Sequence, residues 1–452
     1  QKSLVTNLTE GSVTKQLIRF SIPFMLSNAL QVVYSMVDML VVGHYVGSSG
    51  LSAVSIASQI VMLMTTICMG FATGGQVYIS QLVGANDKEG IKHTIGTLFS
   101  AVLGVGVLMT IIALTLHRPF LNLLNTPAES YDDAVAYMLI CGGGIIFTYG
   151  YNMVSAVLRG MGDSKRPLYF VLVASVLNLI LDVLFVGPLH MGVAGAAWAT
   201  IIGPAVSFIV SIIYLYHRRE AFGFDFKLQS FAVRSRPLKV LIKLGIPFAI
   251  SSSAINISML FVNGLVNDFG VYASATFGVG SKVQHVPDIL TRSISMAAAA
   301  MIGQNMGAGS VDRAKKVVWV SMGISLVIYA IAAVVFALFP QQIFGLFTGE
   351  QEVIALAWLF ISTMLIGYPA HIVMSPCNAF IQGIGNAPLS LVIALLDGFV
   401  MRISLSYLFG IALDMGLFGF FLGYNLATYG TAIPSAAYFL SGKWKKRKML
   451  VG

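Results

Sequence analysis

Apolar runs of about twenty residues recur along this chain between short polar interruptions, and a helix of that length crosses the ~30 Å hydrocarbon layer of a bilayer. The stretch from Thr94 to Leu116 holds no charged residue. Twelve spans are read in this way, at about 16–43, 50–81, 94–116, 131–158, 167–188, 192–216, 240–267, 272–303, 314–339, 351–382, 388–411 and 416–441. The expected fold is an all-α polytopic membrane protein of twelve transmembrane helices. The first span follows about fifteen polar residues and lacks a cleavage-site pattern. It is expected to be a retained helix in a mature chain that starts near its own N-terminus.

Composition agrees with that reading. Of 452 residues, 57% are hydrophobic and 10% charged, which lies outside the soluble globular range. The net charge of +9 would suit nucleic acid if it were spread over one soluble surface, but it is sorted by topology. Lys2, Lys15, Arg19, Lys88, Lys92, Arg159, Lys165, Arg166, the 218–243 stretch, Arg313, Lys315, Lys316 and the tail KWKKRK fall on one side of the twelve-span arrangement. The other side carries essentially Arg118, with Glu129, Asp132, Asp133, Glu350, Glu352 and Asp414. Because basic loops stay inside, both termini are expected to be cytoplasmic, in the plasma or inner membrane of a prokaryote, with no nucleic-acid partner. Cys68, Cys141 and Cys377 lie far apart in apolar spans, which fits packing and argues against a disulfide frame or zinc site.

The chain is also written twice. KQLIRFSIPF from Lys15 matches KVLIKLGIPF from Lys239, and SQLVGAND from Ser80 resembles GQNMGAGSVD from Gly303. LRGMGDSKRP near Arg159 echoes IQGIGNAP near Gln382, and MGVAG from Met191 echoes MGLFG from Met415, all at a spacing near 224. The expected domains are a six-helix bundle over 1–216, a cytoplasmic linker over 217–238, and a second bundle with a basic tail over 239–452. The repeats have the same sense in the membrane. Such duplication marks transporters whose substrate path lies between the halves.

Taken in order, IPF at the head of spans one and seven, VDMLVVGHYVGSSGLSAVS, the QLVGA and QNMGA ends of spans two and eight, LRGMGDSKRP, and LNLILDVLFV with GVAGAAWAT cover nearly the whole length. In that order and duplication they resemble the multidrug and toxic compound extrusion (MATE) family, nearest its DNA-damage-inducible (DinF-like) branch. The superfamily also holds flippases for lipid-linked oligosaccharides. The resemblance implies a V-shaped pair of pseudo-symmetric bundles that export compounds in exchange for H⁺ or Na⁺, with no other cofactor.

Four acids stand away from span ends: Asp38, Asp182, Asp288 and Asp397. An acid in hydrocarbon is costly, so each is a candidate functional residue. Asn178 and Asp182 sit at i and i+4 on one face of span five, and Tyr34 and Asp38 repeat that spacing on span one. Both pairs offer oxygen to a cation; alternatively these polar groups bind each other between helices. The residues leave H⁺ and Na⁺ equally open. At the 224 spacing Arg402 takes the place of Asn178 and Ser406 that of Asp182, so such a site is expected in the N-terminal bundle alone. Asp288 and Arg292, four apart, are expected to form an intrahelical ion pair, with Lys282 and His285 nearby. Asp397 and Arg402, five apart, are expected to face different ways along an α-helix.

For the coupling site the resemblance implies Asp38, Asn178 and Asp182, and by matching spans four and six also Asn152 and Thr200, with Tyr34 and Tyr137. It also implies that bending of span one, which holds Pro23, accompanies cation binding. The norfloxacin-exporter branch carries acids in spans seven and ten, which this chain lacks. Twenty-one methionines and twenty-nine phenylalanines suit a pocket for several shapes. Family analogy points to amphipathic organic cations as substrates, and proximity along the helices makes Gln31, Tyr34, Met36 and Tyr137 candidate contacts. The expected partners are a small-molecule substrate and the lipid bilayer, the chain acting as a monomer. A flippase for a lipid-linked sugar or other amphiphile is the alternative, and would want a strongly cationic cavity to which only Lys282, Arg292 and Arg402 could contribute. A membrane-embedded enzyme is disfavoured, since no HExxH, GxSxG or Walker pattern is present.

Overall fold

The computed structural model of the chain describes residues 5–447 and 449–451; Lys2 and Lys448 of the basic set lie outside them. Among the described residues there is no strand. Helices α1 (Val13–Tyr45), α2 (Ser48–Gly84) and α3 (Lys88–Leu123) are followed by α4, made of Ala128–Gly143 and Ile145–Gly160. Then come α5 (Lys165–Val186) and α6 (Gly192–His217). The second half runs through α7 (Ser235–Asn267), α8 (Val271–Gly307), α9 (Val311–Leu338), α10 (Ala357–Gly383), α11 (Ala387–Ala412) and α12 (Gly416–Leu426 continued by Tyr429–Ser441). These are the twelve spans, in two six-helix sets.

Among the described residues, nine of the helices are singly long and apolar enough to cross a membrane, or ten with α4, whose two parts meet at 47°. The remaining two, α8 and α12, fall short for visible reasons. Lys282, Asp288 and Arg292 interrupt α8, and α12 is broken at Ala427 and Thr428. The helices overrun the apolar windows, as α3 does by extending to Lys88 and Leu123 beyond the charge-free 94–116 run. Asp87 caps that helix by accepting from the Gly90 N–H at 2.8 Å.

The duplication reaches the backbone. His190 and Asp414 both have φ near +50°, and Gly192 and Gly416, which open α6 and α12, have φ of 60° and 61°. The repeated Met-Gly motif follows from that turn, because a side chain is strained in the left-handed region.

The chain divides into two compact units, one dominated by Ile22–Ala249 and the other by Thr9–Ser21 with Ile250–Leu450. In the first unit the 217–238 stretch is packed, not loose. Phe222 and Phe224 are buried in an aromatic cluster with Phe226 and Phe231. The Ser100 hydroxyl donates to the Phe231 carbonyl at 2.6 Å, Lys92 pairs with Asp225 at 3.0 Å, and the Arg234 N–H donates to Thr97. Outside the membrane, hydrogen bonds from Ser230 and Lys92 hold the Asp225 carboxyl well below the usual carboxylate range. In the second unit Phe277, Phe360 and Phe421 pack ring to ring. The tail is tied down by Trp444, buried against Phe380 with its indole N–H donating to the Phe439 carbonyl.

Candidate functional site

In the first unit α1 and α5 bring two acids together. The carboxyls of Asp38 and Asp182 lie within hydrogen-bonding reach of each other, although 144 residues separate them in the chain. Asp182 and Asn178 are buried, one helical turn apart on α5. No N–H or O–H among the described residues donates to Asp38 Oδ1, Asn178 Oδ1 or either Asp182 oxygen. Two ionised carboxylates only accept, so they cannot bond each other. Their contact is favourable when one carries a proton or a cation sits between them, and an all-oxygen set of this kind serves either ion.

The other sequence-derived residues sort by the same geometry. Tyr34, one turn before Asp38, lies beside both acids. Tyr137 is buried, hydrogen-bonded to Thr200 and Cys141, and near Asp38. Gln31 hydrogen-bonds Tyr151 on the same side of α1. Asn152 turns back on its own helix, its amide donating to the Thr148 carbonyl at 2.9 Å. Met36 is 55% exposed and, two residues from Asp38, faces the opposite side of α1, away from the acids. Pro23 lies ten residues inside α1 and is buried, so it is no ordinary helix-start proline. The backbone stays helical through it to Tyr45, and Ser27 bonds the Pro23 carbonyl.

Close packing fixes this arrangement. A Cβ on Gly203 of α6 would stand 2.7 Å from the Ala174 carbonyl oxygen and 3.4 Å from Asn178 Cβ, so only glycine lets α6 lie this near Asn178.

The second unit corrects two expectations. Asp397 and Arg402 do pair, at 2.9 Å, with both side chains buried. In an α-helix five residues turn through about 500°, leaving the two side chains ~140° apart. Residues Leu396–Ile403 instead form a π-helix, whose i to i+5 period stacks them on one face. Thr431 donates to the other Asp397 oxygen at 2.8 Å, and the Arg402 guanidinium lies 4.7 Å from the centre of the Tyr424 ring.

The second correction concerns Asp288, which makes no pair with Arg292 among the described residues. Its Oδ1 accepts from Tyr329 at 2.8 Å and Gln284 at 3.1 Å, and faces His371 Nδ1 at 3.6 Å. Arg292 and Lys282 are exposed. The helical i, i+4 rule placed Asp288 and Arg292 on one face, but burial turned the carboxyl inward to uncharged donors. His371 lies on a span without acids, and its signal in the sequence is a histidine amid apolar residues.

Known proteins place this architecture. The MatE family profile matches residues 23–184 and again 247–408, an offset of 224. The chain is 29% identical to the "probable multidrug resistance protein YpnP" of Bacillus subtilis, over 98% of each chain. It is 25% identical to the "probable multidrug resistance protein NorM" of Thermotoga maritima, over 97% of this chain and 94% of that one. Among solved structures, a MOP superfamily transporter from Pyrococcus furiosus superposes with a TM-score of 0.92 at 24% identity, covering 99% of both chains. Twelve helices in two repeats, with the profile falling once on each, make this chain a member of the MATE family of multidrug efflux transporters, membrane proteins that move small molecules and are not enzymes.

Proposed function

We propose that the protein is an ion-coupled antiporter that exports amphipathic drugs or metabolites while H⁺ or Na⁺ enters through the first unit. The observation that carries this is the facing pair Asp38 and Asp182, of whose carboxyl oxygens Asp38 Oδ1 and both of Asp182 lack donors among the described residues. One cation or proton satisfies both, and an exchangeable ion at that point gives the gradient something to act on. Asn178 and Tyr34 are the supporting oxygens; Tyr137 and Thr200 hold the flank. The buried Pro23 in α1, the helix that carries Asp38, supports a bend of that helix as the response. The chain works as a monomer in the plasma membrane with both termini cytoplasmic, and alternating access follows from the paired repeats. A flippase reading is weakened because Arg402, one of its three available cations, is neutralised by Asp397.

The test is efflux of a fluorescent cationic dye from reconstituted vesicles under an imposed H⁺ gradient and, separately, an imposed Na⁺ gradient. One gradient is expected to drive the wild type, and Asp182→Asn to reduce that efflux to background. Equal efflux from the variant would remove Asp182 from coupling. Failure of both gradients in the wild type would return the flippase reading.

A further inference from the structure

We propose that Asp288 and His371 form a second proton-binding site, built wholly within the second unit and independent of whether Asp182 couples transport. The argument starts from charge. Asp397 and Arg402 cancel each other at 2.9 Å, which leaves Asp288, in a membrane-spanning helix, paired with no lysine or arginine among the described residues. Its hydrogen-bond partners are uncharged donors, Tyr329 at 2.8 Å and Gln284 at 3.1 Å. They stabilise a carboxylate without neutralising it.

The groups that face this point from the packed helices are Tyr329 on α9, Tyr368 and His371 on α10, Asp397 and Arg402 on α11, and Tyr424 on α12. Of these only His371 changes charge readily near neutral pH. With His371 neutral, Asp288, Asp397 and Arg402 sum to one negative charge; one proton on the imidazole brings the cluster to neutrality. An apolar surround favours the neutral set, and the partner nitrogen stands 3.6 Å from the carboxylate, close enough for an ion pair.

The donor set selects a proton over Na⁺. Asp288 Oδ1 is already met by a hydroxyl, an amide and an imidazole, whereas a metal ion wants converging lone pairs. The Asp288 and His371 side chains are not sealed in, being 22% and 13% exposed. The far imidazole nitrogen meets the Thr428 hydroxyl at 3.5 Å, at the break in α12. The protonation state of His371 is thus felt at an interrupted helix.

Hydrogen–deuterium exchange at histidine C2, read peptide by peptide on the full-length protein in lipid nanodiscs, gives the titration of His371 without any transport assay. Between about pH 8 and about pH 5 the wild type is expected to show a protonation step at His371. Asp288→Asn is expected to remove that step from the window, because a protonated His371 would then leave the cluster with a net positive charge. Asp288→Glu keeps the carboxylate and is expected to keep the step, which separates loss of charge from loss of fold. A His371 that shows no step in the wild type, or an unchanged step in Asp288→Asn, overturns the proposal.

Discussion

Superposing the repeats by sequence sets Asn178 against Arg402 and Thr200 against Tyr424. In the first unit these positions flank acids of which Asp38 Oδ1 and both Asp182 oxygens take no donor among the described residues. In the second, the guanidinium of Arg402 fills the corresponding place, bonded to Asp397 and stacked near Tyr424. Arginine does not release its proton in proteins. One repeat therefore presents carboxyl oxygens without donors, while in the other a guanidinium is a permanent partner of the acid. Duplication supplied equivalent positions, and the repeats differ there at three of them: Asn178 is matched by Arg402, Asp182 by Ser406 and Asp38 by Val262.

The largest effect on that contrast is expected from Arg402→Met. It strands Asp397 as an uncompensated buried charge and should cost about 3–5 kcal/mol. Thermal unfolding in detergent measures it, and pairing the change with Asp397→Asn is expected to recover most of the loss. A smaller cost follows in the first unit from Gly203→Ala. The new methyl meets the Ala174 carbonyl and Asn178, and overpacking of this kind costs about 1–3 kcal/mol. Cation protection of the folded state against heat should weaken with it, as Asn178 is displaced. Ala427, the equivalent position in the second half, already has a methyl and is buried at the break in α12.

Asp225→Asn should have the least effect, confined to the docking of the 217–238 stretch on α3. Because the folded carboxyl titrates below its ordinary range, its contribution is present at neutral pH, above the unfolded value. It disappears only as pH falls through the lower, folded one. Limited proteolysis across that stretch, at neutral and strongly acidic pH, should show the variant and wild type converging in acid.

Much of this was legible from pattern alone. Apolar runs placed the twelve helices, and the 224 spacing placed the repeat, because both are long-range regularities that lipid enforces. Asp38 and Asp182 were readable as candidates for the same reason: acids are conspicuous in oil. What escaped were facts set by local geometry. The pairing of Asp397 with Arg402 depends on a π-turn, and α-helical arithmetic gives the opposite answer. The partner of Asp288 is chosen by packing across α8, α9 and α10, which residue spacing on α8 cannot express. The 217–238 stretch reads as a cytoplasmic linker, yet its four phenylalanines at 222, 224, 226 and 231 anchor it.

The buried tail gives the molecule a built-in spectroscopic contrast. Of its four tryptophans, Trp198, Trp319 and Trp358 are about half exposed on membrane-spanning helices, and Trp444 is 1% exposed beneath Phe380. A quencher dissolved in the bilayer therefore meets three indoles and is denied the fourth. The emission that survives quenching belongs to the C-terminal segment, so this chain carries a native optical label for the docking of its own tail.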